Sequence, residues 1–166
     1  IMTNYTDNKD NVSVDGSNHV LNMLGGDDVV DATQSTKDTI DGGAGNDHTS
    51  YSNATAAVTV NLTTGQASGA LGNDQLSGIS AVVGSGFADL LTGSTGADTI
   101  NAGSGNDTVD GGLGDDSLVG GGGVDTLSYA SASSNVTVSL ATGLATGGAG
   151  NDRFSGFTNL LGGAGD

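Results

Sequence analysis

GSGFADLLT, GSTGADTIN, AGSGNDTVD, GGLGDDSLV and GGGGVDTLS fill residues 84–128 as five nonapeptides with no remainder. Position six is always aspartate: Asp89, Asp98, Asp107, Asp116 and Asp125. Position eight is always aliphatic: Leu91, Ile100, Val109, Leu118 and Leu127. Positions one to four are mostly glycine or serine. The segment D-x-U-x, with U aliphatic, reads as a short strand, and the glycine positions read as a turn that needs positive φ and close backbone approach. A single repeat carries one dependable apolar residue and buries almost nothing alone, so the repeats must stack. Nine residues make half a coil, so residues 18 apart are expected to lie about 4.8 Å apart along the axis. Asp89, Asp107 and Asp125 then share one edge, and Asp98 and Asp116 the other. The expected fold is all-β, a parallel β-roll (a β-helix-like solenoid) of stacked nonapeptides.

The same frame runs outward. GGAGNDHTS supplies Asp47, GALGNDQLS supplies Asp74, and GGAGNDRFS supplies Asp152. Three periods of nine separate Asp47 from Asp74, with Ala56 and Gly65 in the aspartate slot; Ser134 and Gly143 take it between Asp125 and Asp152. These two stretches match at an offset of 78 residues: Tyr51 aligns with Tyr129, and Val58, Val60 and Leu62 with Val136, Val138 and Leu140. Toward the N-terminus the frame degenerates through Asp10, His19, Asp28 and, after one inserted residue, Asp38. The chain therefore divides into degenerate coils (1–41), coils with longer strands and a connector (42–83), the tandem block (84–128), and a second copy of the longer-strand unit (129–166). Starting at Ile1 without a methionine and stopping inside a repeat at Gly162 to Asp166, it reads as a fragment or a processed form.

Composition narrows the chemistry. Acids outnumber bases 19 to 3, the net charge is −16, and every acid is aspartate. A solvated acidic surface would mix both carboxylates; here the short side chain is required at a set distance from the backbone. Lys9, Lys37 and Arg153 are too few and too scattered for a nucleic-acid partner. With no cysteine there is no disulfide framework or thiolate site. No stretch approaches the ~20 apolar residues that span a membrane, so insertion is not expected.

A column of carboxylates at strand spacing repels itself. Calcium resolves the repulsion, since it accepts six to eight carboxylate and carbonyl oxygens, whereas magnesium demands a stricter octahedron. The candidate ligands are Asp28, Asp38, Asp47, Asp74, Asp89, Asp98, Asp107, Asp116, Asp125 and Asp152. Carbonyl donors are expected from the turn glycines Gly43, Gly45, Gly103, Gly105, Gly112, Gly114, Gly121 and Gly123. Asp31, Asp41 and Asp110 fall in other slots and read as outward strand residues. His19 and His48 read as exposed repeat positions, and Tyr51 and Tyr129 as packing residues. No Ser/His/Asp constellation recurs, and a stacked solenoid is expected to lack a pocket, so no enzyme is predicted.

The pattern G-G-x-G-x-D-x-U-x resembles the repeat of the RTX (repeats-in-toxin) family over roughly residues 25–166. That resemblance implies a calcium-loaded β-roll, type I secretion, and folding on arrival in calcium-rich medium. TLSYASASSNVTVSLATG and GNDRFSGFTNLLG look like segments of large secreted bacterial adhesins and exoproteins. A calcium-dependent structural module of such a protein is expected, secreted or at the cell surface. The alternative is a self-assembling extracellular fibre subunit that associates end to end.

Overall fold

The computed structural model of the chain describes residues 2–16, 18–69 and 72–164. Ile1, the Ala70–Leu71 pair of GALGNDQLS, and the final Gly165 and Asp166 lie outside the described residues. Every regular element is a strand. In chain order these are β1 (Met2–Asn4), β2 (Asn11–Gly16), β3 (Val20–Asn22), β4 (Val29–Ser35), β5 (Thr39–Asp41) and β6 (Asp47–Ser50). There follow β7 (Val58–Asn61), β8 (Gln66–Gly69), β9 (Gly72–Ser77) and β10 (Ile79–Val83). The tandem block forms β11 (Leu90–Thr92), β12 (Thr99–Asn101), β13 (Thr108–Asp110), β14 (Ser117–Val119) and β15 (Thr126–Ser128). The chain closes with β16 (Val136–Ser139), β17 (Leu144–Gly147), β18 (Gly150–Ser155) and β19 (Asn159–Leu161).

Successive tandem strands alternate between a ten-stranded and a nine-stranded sheet, and within each sheet they pair in parallel. Leu91 sits beside Val109 and Val109 beside Leu127, while Ile100 sits beside Leu118. The 18-residue stacking read from the repeat is therefore the observed register. These five aliphatics are buried and form the thin seam between the sheets. At the turns, glycine is obligatory for close approach. Gly123 has φ +133°, and a Cβ there would run into the Gly105 carbonyl of the preceding coil.

The roll is not uniform, which corrects one expectation. Residues 48–74 and 126–152 do not continue as nonapeptides with Ala56, Gly65, Ser134 and Gly143 in the aspartate slot. Instead β7–β8–β9 and β16–β17–β18 are antiparallel meanders. Gly65 and Gly143 lie in the hairpin turns at φ +67° and +66°. The physical cause is visible in VTVNLTTGQAS, where apolar residues alternate with period two and a Thr-Thr-Gly turn follows. Each meander places three strands where an ordinary coil places one. Six strands, β10 to β15, separate the meanders, so the first widens the ten-stranded sheet and the second the nine-stranded one.

Candidate metal centre

Each aspartate slot begins a strand, so the roll carries two columns of carboxylates. One edge holds His19, Asp38 and Asp74, then, beyond the first meander, Asp89, Asp107 and Asp125. The other holds Asp10, Asp28 and Asp47, then, beyond β10, Asp98, Asp116 and Asp152. Within each column one contact repeats: the backbone N–H of one slot donates to Oδ1 of the aspartate one coil on. Asp89 donates to Asp107 (2.8 Å), Asp107 to Asp125 (2.9 Å), Asp98 to Asp116 (2.9 Å) and Asp116 to Asp152 (3.0 Å). Asp10, Asp28, His19 and Asp38 donate likewise to Asp28, Asp47, Asp38 and Asp74. Oδ1 thus ties coil to coil, and Oδ2 is the oxygen left over.

In six aspartates that leftover oxygen is buried and has no hydrogen-bond partner: Asp28, Asp38, Asp47, Asp107, Asp116 and Asp125. A buried carboxylate oxygen without a donor is costly, and a cation is its natural partner. Space for the carboxylate comes from position one of the turn. A Cβ on Gly42 would lie 2.7 Å from Asp47 Oδ2, and one on Gly120 would lie 2.8 Å from Asp125 Oδ2. All eight turn glycines named as carbonyl donors are left-handed, with φ between +85° and +146°. Among the described residues no three His or Asp side chains converge as a metal cluster. An ion held here would have to take its remaining oxygens from the backbone, as calcium readily does and zinc does not.

Electrostatics point the same way. Burial pushes the Asp116 carboxyl up to about 7, and neighbouring Asp152, Asp98 and Asp115 add to the rise. Burial likewise pushes Asp107 up to about 6, with Asp89 and Asp125 adding to it. Asp47, Asp74, Asp98 and Asp152 are raised too, burial again being the largest cause. Without a cation the columns hold charge poorly.

The other four candidate ligands differ. Ser85 donates through N–H (2.5 Å) and Oγ (2.6 Å) to Asp89, and Ser94 through N–H (2.5 Å) and Oγ (2.9 Å) to Asp98. Tyr51 Oη donates to Asp74 Oδ2 at 3.4 Å, and Tyr129 Oη to Asp152 Oδ2 at 2.8 Å. The tyrosines are buried, as packing residues would be, but their hydroxyls also cap aspartates, a role sequence reasoning missed. The signal was available: each lies 23 residues before its aspartate in both copies of the longer unit.

Three further expectations change. Asp110 does not face outward; it is buried and accepts from Ser131 Oγ (2.6 Å), Ser131 N–H (3.2 Å), Ser128 Oγ (3.2 Å) and Gly112 N–H (3.1 Å). It anchors the loop leading into the second meander. His19 and His48 are half-buried rather than exposed, and His19 Nδ1 lies 3.1 Å from Asp38 Oδ1. A cavity of about 530 Å³, bordered by His19, Lys37, Asp38, Gln66, Asp74 and Gln75, opens where the first meander joins the degenerate coils. Asp107→Ala is expected to lower the number of calcium ions bound. Asp110→Ala should keep that number and lower stability, by about 1.5–3 kcal/mol for each hydrogen bond to the charged group. Calcium titration and thermal unfolding of both variants test the register; equal loss of bound calcium would refute it.

Four copies of a family pattern match the chain, across residues 83–118, 111–131 and 144–157. They are RTX calcium-binding nonapeptide repeats. The RTX match takes in the tandem block and returns at β17 and β18, while the RTX-like slots Asp28, Asp38 and Asp47 lie outside it. Calcium binding is the property by which these matched repeats are described. No curated protein matches the sequence.

Proposed function

We propose that the chain is a calcium-dependent folding and structural module of a secreted bacterial protein, such as an adhesin, surface-layer protein or exoprotein. The observation that carries this reading is the set of six buried Oδ2 atoms with no donor. Asp28, Asp38, Asp47, Asp107, Asp116 and Asp125 are the ligands with the most direct support. Turn carbonyls, including those of Gly43, Gly103, Gly112 and Gly121, complete each shell. The module is structural rather than catalytic, because its carboxylates are paired with backbone amides and face the turns. Calcium titration by calorimetry tests it: saturable binding of several ions is expected in the affinity range of about 10⁻⁴–10⁻³ M found for extracellular modules. Magnesium should not substitute. No calcium uptake would overturn the reading.

A second reading, self-assembly into a calcium-bound fibre, draws support from one comparison within the chain. β7 and β10 are covered by β11 and β12, which pair with them in parallel. Among the described residues, their counterparts one longer unit on, β16 and β19, end their sheets without such partners. Val82 on β10 is 2% exposed, whereas Leu160, its match on β19, is 46% exposed. Val58 N–H donates to Asp89 of the covering coil. An open parallel edge recruits further strands, and a head-to-tail contact that does not close propagates. Light scattering should show end-to-end association in millimolar calcium, blocked by a polar capping repeat appended after Asp166. A strictly monomeric species under those conditions would refute it.

A further inference from the structure

Eight of the aspartate slots fall into two kinds, and the difference lies four residues before each one; Asp38, whose Oδ2 is also buried without a donor, falls outside both. At Leu24, Gly43, Gly103, Gly112 and Gly121 the backbone is left-handed, with φ between +68° and +102°. The aspartates that follow, Asp28, Asp47, Asp107, Asp116 and Asp125, all have a buried Oδ2 without a donor. Leu24 adopts this conformation although it carries a side chain, which a leucine rarely does. At Thr6, Ser85 and Ser94 the same position is occupied by a hydroxyl residue, and none of the three has positive φ. There the backbone N–H and the hydroxyl both turn onto the carboxylate: Thr6 donates twice to Asp10 Oδ2 at 2.9 Å. Ser85 and Ser94 close Asp89 and Asp98 in the same way.

We propose that, in these eight slots, the residue four positions before the aspartate selects whether that carboxylate takes calcium. This rests on the calcium reading above and assigns occupancy slot by slot. A left-handed residue turns its amide away and leaves Oδ2 for the ion. Serine or threonine in a right-handed or extended turn supplies two donors, satisfies the carboxylate oxygens and closes the slot without an ion. Asp89 and Asp98 begin the tandem block, so its first two slots fold on hydrogen bonds alone and calcium enters from Asp107 onward. Asp74 and Asp152, closed by Tyr51 and Tyr129, form a third kind in which a distant hydroxyl does the same work.

The test is calcium stoichiometry by equilibrium dialysis on the whole chain. The double variant Ser85→Gly, Ser94→Gly should bind about two more ions than the parent. Ser104→Gly, altered one position away from the left-handed Gly103, should bind the parental number. Ser85→Ala, Ser94→Ala lacks the hydroxyls but still disfavours the left-handed turn, and should gain no ion. Circular dichroism in calcium verifies folding; if the double glycine variant does not fold, Ser94→Gly alone is read against a gain of one. Unchanged stoichiometry in the glycine variants, with a parent that binds calcium, overturns slot selection and leaves the calcium reading intact. A gain in the alanine variant overturns the turn as the selecting element. A parent that binds no calcium overturns the calcium reading itself, and slot selection with it.

Discussion

In excess chelator at neutral pH the chain should lose most of its β structure, as read by far-ultraviolet circular dichroism, and regain it when calcium is restored. Each coil buries little more than one aliphatic residue per strand, such as Val109 or Leu118, while every residue it orders loses conformational entropy. Against that thin seam stands a net charge of −16, with aspartates stacked coil upon coil. The backbone ladders and Asp Oδ1 contacts do not remove the repulsion, because an N–H donor leaves the carboxylate charged. Calcium removes it and adds stability by linkage. At ten to a hundred times the dissociation constant, each occupied site contributes roughly 1.4–2.7 kcal/mol. Several sites together are comparable with a small domain's whole margin of about 5–15 kcal/mol. A complete β spectrum in excess chelator would overturn this account.

Acid should do part of what calcium does. In the calcium-free fold Asp107 titrates at about 6 and Asp116 at about 7, against 3.8 for the free side chain. A carboxyl raised on folding binds its proton more tightly folded than unfolded. Its contribution is fully present below the unfolded value and disappears as pH rises through the folded one. Stability of the calcium-free chain should therefore climb between pH 7.5 and pH 5, opposite to ordinary acid denaturation. Asp47, Asp74, Asp98 and Asp152 shift in the same direction and add to the effect. With calcium present the sign reverses, since protons compete for the same oxygens and apparent calcium affinity falls over that range. Circular dichroism of calcium-stripped protein across these pH values is the measurement. A spectrum as disordered at pH 5 as at pH 7.5 would contradict the burial assigned to Asp107 and Asp116.

Much of this is legible in residues 84–128 alone. A period of nine with one aspartate and one aliphatic admits few solutions, and the 18-residue register between Leu91, Val109 and Leu127 followed from it. The need for a cation was legible as well, from aspartate without glutamate and from charge stacked at strand spacing. Those are properties of a repeating pattern, and a repeat carries its own geometry because each coil sees only its neighbours.

Three-dimensional packing decided what the pattern could not. The 27-residue spacing between Asp47 and Asp74 is a whole number of nonapeptides, so counting placed coils where a meander forms. Alternation at Val58 and Val60 and the left-handed turn at Gly65 outweighed the count. Asp110 looked like an outward residue by slot, yet the loop after β15 folds over it and brings Ser131 to its carboxylate. The division of aspartates into free and capped depended on contacts between residues far apart, as with Tyr129 and Asp152, and on a backbone angle at Ser85 and Leu24 that residue type alone does not set. Sequence determined that carboxylates would stack; tertiary structure decided which of their oxygens were left without a partner, because a distant tyrosine hydroxyl reaches some slots and the local turn backbone brings a serine onto others.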